Sequence, residues 1–301
     1  MKPKDYGLFF GVLSPLLSSM GVVLIAVAAK LLPPLFVASI TGILGGIILF
    51  FSMFLFKEKF DLFQLKGNSK DLLKMLFVRG VFGAGIMTLG LSMTDGIKAI
   101  FFSKTEPFFV LGWHWLLLGE KIRKSHIILL TVHMTGAVIL STGGNFLAFG
   151  RTQLGDLFVI IAMMLFALSY IYGSRLSKSI GSRVPSAVTS GIGGLILLPI
   201  SLFFVSSTVW DITSIGWVYM ISFVILWNVF GLTFWFISLK TVKGWIVSAL
   251  RSIGPIAGVP FAYFLFGETL NIIQIIGGII VLITSALIAR EHLRPKNSKS
   301  N

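Results

Sequence analysis

Long apolar runs alternate with short polar, basic segments from one end of this chain to the other. A helix of about 20 apolar residues, rising 1.5 Å per residue, crosses the hydrocarbon core of a bilayer. Ten such spans can be drawn, at roughly 6–30, 35–56, 72–93, 96–118, 126–148, 154–176, 185–206, 214–239, 244–266 and 271–289. A membrane β-barrel would instead show alternating segments of about ten residues, and none is present. The first span follows Lys2 and Lys4 and contains Ala26-Val27-Ala28, which is like a signal-peptide cleavage site. Its apolar part exceeds the roughly 7–15 residues of such a region, so it reads as a retained span. The expected fold class is an all-α polytopic membrane protein with ten transmembrane helices.

Composition agrees with the pattern. Of 301 residues 55% are hydrophobic and 12% charged, and mean hydropathy is +0.94. Soluble domains carry about 25% charged residues, so a soluble fold is excluded. Cysteine is absent, which removes disulfides and thiolate chemistry. The net charge of +14 is explained by placement. Lys57, Lys59, Lys66, Lys70 and Lys74, then Lys121, Arg123 and Lys124, Arg175, Lys178 and Arg183, Lys240 and Lys243, and Arg290 with the tail after it all fall on one side. The other side holds Lys30, Lys98 and Arg151. Basic loops stay cytoplasmic, so both termini are expected in the cytoplasm, with the chain in the cytoplasmic (inner) membrane. The basic balance is topology plus attraction to anionic headgroups; no nucleic-acid partner is expected.

The sequence also repeats. A single ungapped shift of 148 residues lays Gly7 on Gly155, Thr41 on Thr189, Gly45-Gly46 on Gly193-Gly194 and Val81-Phe82-Gly83 on Val229-Phe230-Gly231. It also lays Pro107 on Pro255 and Gly119-Glu120 on Gly267-Glu268. Chance apolar similarity supplies leucines, but not a matched proline and a matched Gly-Glu. The chain divides into residues 1–148, 149–290 and a basic cytoplasmic tail, 291–301. Five spans per half is an odd number, so the halves enter the membrane with opposite orientation. Inverted repeats meeting at a midplane site are a signature of secondary transporters.

Five plus five inverted spans, with Pro107 and Leu118-Gly119-Glu120 matched by Pro255 and Phe266-Gly267-Glu268, and small residues following at Gly136 and Gly277-Gly278, resemble the drug/metabolite transporter superfamily and its EamA-type branch. The resemblance covers essentially the whole chain. It implies a central cavity between the halves, alternating access and movement of small metabolites without ATP; it does not imply a substrate.

Four charges within spans lie outside that general pattern: Arg79, Lys104, Glu106 and Arg251. A charge in hydrocarbon costs about 2.5–3.5 kcal/mol on insertion scales, so each marks a buried ion pair or a site. Pro107 and Pro255 each deprive a carbonyl four residues earlier of its helical partner near the middle of a span. That is either an ordinary kink or, at two symmetric positions, a broken helix exposing backbone dipoles. Lys104 and Glu106 are about 200° apart on a regular helix. One arrangement puts Lys104 in the cavity and Glu106 against Arg79; the reverse is equally open. Arg79 corresponds to Trp227, beside Asn228. The candidate substrate-binding set is Arg79, Lys104, Glu106, Tyr170, Trp227, Asn228 and Arg251. Its excess of cations favours a ligand with a carboxylate or phosphate held by arginine forks, with Trp227 and Tyr170 candidates to cover an apolar or cationic part. Glu106 is the candidate for a coupled proton, since removing a carboxyl from water favours its neutral form. Snorkelling to the headgroups is the competing reading for either arginine.

Other features are read as architecture. Trp113, Trp115, Trp210, Trp217, Trp245 and His114 are assigned to the membrane interfaces, and His133 to a hydrogen-bonded helix contact. Gly42–Gly46 and Ser190–Gly194 permit close helix approach. Lys57–Lys74 is placed along the cytoplasmic interface, and Glu120 and Glu268 at helix ends as caps or gate pairs. The sequence has no HExxH, no Gly-x-Ser-x-Gly and no evident nucleophile–base pair, so no enzyme activity and no cofactor are expected. The reading is a secondary transporter of a small anionic or zwitterionic metabolite, such as an amino acid, organic acid or phosphorylated compound. The alternative is a lipid-linked phosphate translocase of the same fold. Oligomeric state is not readable.

Overall fold

A computed structural model describes residues 3–28, 33–55, 62–93, 102–103, 105–143, 154–203, 214–266 and 271–293, and the regular structure within them is helical. Helix α1 is Pro3–Ala28, α2 is Pro34–Leu55 and α3 the short Leu62–Gly67. Helix α4, 69–92, joins Ser69–Met75 and Ala84–Ser92 through a π-helical stretch, Leu76–Gly83. Helices α5, α6 and α7 are Glu106–Leu118, Lys124–Thr142 and Leu154–Ser179. Helix α8, 183–202, contains π-helical Val188–Ile192, and α9, 214–241, contains π-helical Val224–Gly231. Helix α10, 244–266, is Gly244–Leu250 and Pro255–Phe266 around the tight turn Arg251–Ile253; α11 is Ile272–Leu293.

Among the described residues seven helices, α2, α4 and α7 to α11, are long and apolar enough to cross a membrane. The shortfall from ten has a local cause at two places. Helix α5 is the 13-residue portion that follows the break at Pro107, and the apolar part of α6 runs only over Lys124–Leu140.

Several helix pairings recur when the two halves are exchanged. Helix α1 lies against α9 and the second part of α10, as α7 lies against α4 and α5; α2 pairs with α8, and α6 with α11. The π-helical stretches follow the same rule, since Leu76–Gly83 falls on Val224–Gly231 under the 148-residue shift. A π turn admits one extra residue into a helix and re-aims the side chains beyond it.

Large apolar side chains face outward, such as Phe50, Phe51, Leu195, Ile276, Ile279 and Ile283, while Ser14, Ser39, Thr41, His133 and Asn228 are buried. That inversion suits lipid, where helix association depends on close packing and internal hydrogen bonds. A Cβ at Gly46 would fall on the Gly191 backbone, and one at Gly194 would lie 2.6 Å from the Ser39 carbonyl oxygen, so the α2–α8 contact is backbone on backbone. Glycines Gly136 and Gly277 bring α6 and α11 together in the same way. His133 then ties three helices: its Nδ1 lies 2.7 Å from Thr284 Oγ1 on α11, and its Nε2 2.7 Å from the Ala249 carbonyl on α10.

Gly46→Val forces α2 and α8 apart. We expect it to destabilise the protein by about 1–3 kcal/mol and to lower the thermal midpoint in detergent; an unchanged midpoint would contradict this contact.

Candidate functional site

The two helix breaks make the centre of the molecule. Thr105 sits at the start of α5, its hydroxyl donating to the Phe102 carbonyl at 2.6 Å, and Glu106 and Pro107 are the first residues of the new helix. Proline is tolerated there because a first-turn N–H has no intrahelical partner. In α10 the chain tightens through Arg251–Ile253 and the helix restarts at Pro255. The Arg251 carbonyl, which the proline deprives of its α-helical partner, accepts instead from the Gly254 N–H at 3.3 Å. Gly254 is the residue on which Glu106 falls under the repeat shift. It packs against the Pro15 carbonyl of α1, where a Cβ would lie 3.1 Å from that oxygen.

These breaks place Glu106 and Arg251 together. Arg251 Nη1 donates to Glu106 Oε1 at 3.3 Å, with side chains 23% and 8% exposed respectively. Arg79, in the π-helical stretch of α4, donates from Nη1 to Ser169 Oγ of α7 at 3.2 Å. Its guanidinium lies 4.3 Å from the ring centre of Trp235 and 5.1 Å from that of Phe166. Arg251 lies 5.9 Å from the ring centre of Trp227. Each arginine thus has an indole of α9 beside it, Trp227 or Trp235, one on either side of Gly231. A small cavity of about 20 Å³, the space of one water, lies between them, lined by Arg79, Arg251, both tryptophans, and Ser14 and Ser18 of α1.

The sequence-derived set divides accordingly. Arg79, Glu106, Trp227 and Arg251 converge. Tyr170 is buried behind Trp235, ring centres 5.0 Å apart. Its hydroxyl lies beside the Arg251 guanidinium. Asn228 turns away into helix packing, accepting from Ser190 Oγ at 2.8 Å and donating to the Thr41 carbonyl at 3.2 Å. Lys104 lies outside the described residues, as do Trp210 and the Gly267-Glu268 pair. Glu106 pairs with Arg251 rather than standing against Arg79, because the break at Pro107 and the turn at Arg251 meet.

Two interfacial assignments differ from the structure. Trp245 is buried and stacked on His126 at 4.7 Å, because the first part of α10 is apolar all round and enclosed on every side. His114 is buried too, bonded through Nδ1 to the Val110 carbonyl at 2.8 Å and set against Gly244, whose missing side chain makes its room. Glu120, just past the left-handed Gly119 (φ 65°), joins Lys243 at 3.6 Å and links the end of α5 to the start of α10.

The residues missed were Ser14, Ser18, Ser169 and Trp235. Trp235 had a signal: Trp227, Gly231 and Trp235 recur at intervals of four residues, one face of a helix.

A sequence profile for the EamA-like transporter family matches residues 5–142 and again 153–290. The chain belongs to that family. This EamA-like chain, of the drug/metabolite transporter superfamily, is 25% identical over 262 residues to an uncharacterized transporter of Methanothermobacter thermautotrophicus, covering 83% of this chain and 76% of that one. It is 26% identical over 251 residues to the uncharacterized transporter YetK of Bacillus subtilis, covering 81% and 75%. It is 23% identical over 274 residues to the uncharacterized inner membrane transporter YedA of Escherichia coli strain K12, covering 87% and 84%. A solved crystal structure superposes with a TM-score of 0.83 at 16% identity, over 99% of this chain and 100% of that one; that likeness is of fold. Family and relatives point to transport rather than catalysis.

Removing Glu106 leaves Arg251 as a buried cation without its carboxylate. We expect Glu106→Ala to destabilise the EamA-like fold by about 3–5 kcal/mol, and Glu106→Ala with Arg251→Met to recover most of that loss. Equal thermal midpoints for the single and double variants would contradict the pairing.

Proposed function

We propose that this protein is a secondary transporter that moves a small anionic or zwitterionic metabolite across the cytoplasmic membrane by alternating access. Its substrate site is the cavity between Arg79, Arg251, Trp227 and Trp235. The observation carrying this reading is the Arg251–Glu106 pair at the meeting point of two helix breaks that are equivalent under the repeat, with Arg79 lining the same cavity. Broken helices at a midplane site and a gathering of intramembrane charge are both features of secondary transporters.

The reading includes ten spans in two inverted halves, residues 1–148 and 149–290, with both termini cytoplasmic. Helix pairings that recur on exchange of the halves support it, as do the matched π-helical stretches. The basic residues concentrate at one side of the spans, and YedA is named as an inner membrane protein. The cavity's small volume fits a closed conformation, in which α1, α4, α9 and α10 part to admit a ligand. The positive charge of the site favours the anionic group, and the indoles cover what is attached to it.

Flux into liposomes tests this. We expect the purified protein to move at least one carboxylate- or phosphate-bearing metabolite from a mixed pool, and Arg79→Gln or Arg251→Gln to reduce that flux about tenfold or more, a single charged contact being worth 1.5–3 kcal/mol. Flux unchanged in both variants, or none for any member of the pool, would contradict the proposal. Movement of lipid-linked phosphates alone would favour the translocase reading instead.

A further inference from the structure

Arg79 and Arg251 line one cavity, but their charges are met differently. Arg251 already holds a carboxylate, Glu106 Oε1 at 3.3 Å. Arg79 has no carboxylate within 4.0 Å among the described residues; its polar partner is the neutral Ser169 hydroxyl at 3.2 Å. That hydroxyl donates its own proton to the Phe166 carbonyl at 2.5 Å, so it serves Arg79 purely as an acceptor. Trp235 and Phe166 cover the guanidinium and shield it from water, which strengthens its demand for an anion. The serine hydroxyls of the cavity are occupied as donors, Ser14 to the Gly231 carbonyl and Ser18 to the Ser14 carbonyl, both at 2.7 Å. Among the described residues, the charged group that the cavity leaves for a ligand is therefore Arg79, with its remaining N–H groups, while Arg251 is already held by Glu106 and the Trp235 indole N–H on the same wall has no partner.

We propose that the site takes one monovalent oxyanion on Arg79, a carboxylate or a singly charged phosphodiester, and that Glu106 sets this count as a built-in counter-anion for Arg251. The inference rests on the cavity being the substrate site and narrows its substrate to singly charged anions. A dianion brings a second charge toward Arg251 and meets Glu106 there, and like charges at close range in a partly desolvated site repel strongly. Glu106 thus acts as a specificity residue without needing to touch the ligand. Replacing it by glutamine frees a second guanidinium and raises the preferred ligand charge by one, whatever other cations border the cavity.

The test is ligand-induced thermal stabilisation of the full-length protein in detergent at constant ionic strength. The probes are mono- and dicarboxylates of matched carbon number, butyrate and succinate among them, and a short-chain phosphatidylglycerol. We expect monocarboxylates to stabilise the wild type at concentrations about tenfold or more below the matched dicarboxylates, with Glu106→Gln reversing that order. We expect Arg79→Gln to abolish the monocarboxylate response. Should Glu106→Gln be too unstable to purify, Glu106→Gln with Arg251→Gln removes both members of the pair and should keep the monoanion preference. A response to phosphatidylglycerol alone would assign the monovalent oxyanion to lipid. Equal responses to both charges in the wild type, or a preference unchanged by Glu106→Gln, overturns the inference and leaves the transport reading standing. Silence of the wild type to every probe removes the binding site on which both rest.

Discussion

The ion pair between Arg251 and Glu106 is the constraint on which the centre of this molecule depends. In a low-dielectric interior neither residue is stable alone, and together they are stable only if held in register. Two helix breaks provide that register. Pro107 starts α5 at Glu106, whose carboxylate sits at the positive end of the new helix. The turn at Arg251–Ile253 swings the guanidinium toward it from α10. A straight helix at either position would carry its charge past the other.

The surrounding framework meets the demands of lipid. Outward faces are apolar, and inward polar groups such as His133 and Asn228 are hydrogen-bonded across helices. Glycine contacts between α2 and α8, and between α6 and α11, bring backbones close on either side of the centre. The helices that bear the cavity, α1, α4, α9 and α10, each carry an irregular turn or an internal proline, as does α8 beside them. Glycine-packed pairs hold the frame, while π turns and the tight turn of α10 shape the helices at the site.

Much of this was legible in the residues. Pro107, Pro255 and the 148-residue shift pointed to symmetric breaks, since proline and glycine constrain backbone whatever packs around them. Arg79, Glu106 and Arg251 stood out because charge in an apolar run needs a reason. Their partners were not legible. Which carboxylate an arginine meets depends on how two distant breaks face one another, and spacing along one helix says nothing about that. Asn228 misled for a related reason: an amide near the span centre bonds the backbone as readily as a ligand, and here it joins α2 and α8. Trp245 and His114 misled because a span end marks an interface only where the chain there reaches the surface; here the enclosed first part of α10 buries Trp245, and Gly244 makes room for His114.

The central claim is that the cavity beside Arg79 and Arg251 opens in turn to each side of the membrane. The chain has no cysteine, so Ser18→Cys on the cavity wall gives a single reporter without background. Labelling with a membrane-impermeant thiol reagent in oriented vesicles should modify it from either face, and a transported anion should slow both reactions. Modification from one face only, or from neither, would contradict alternating access through this cavity.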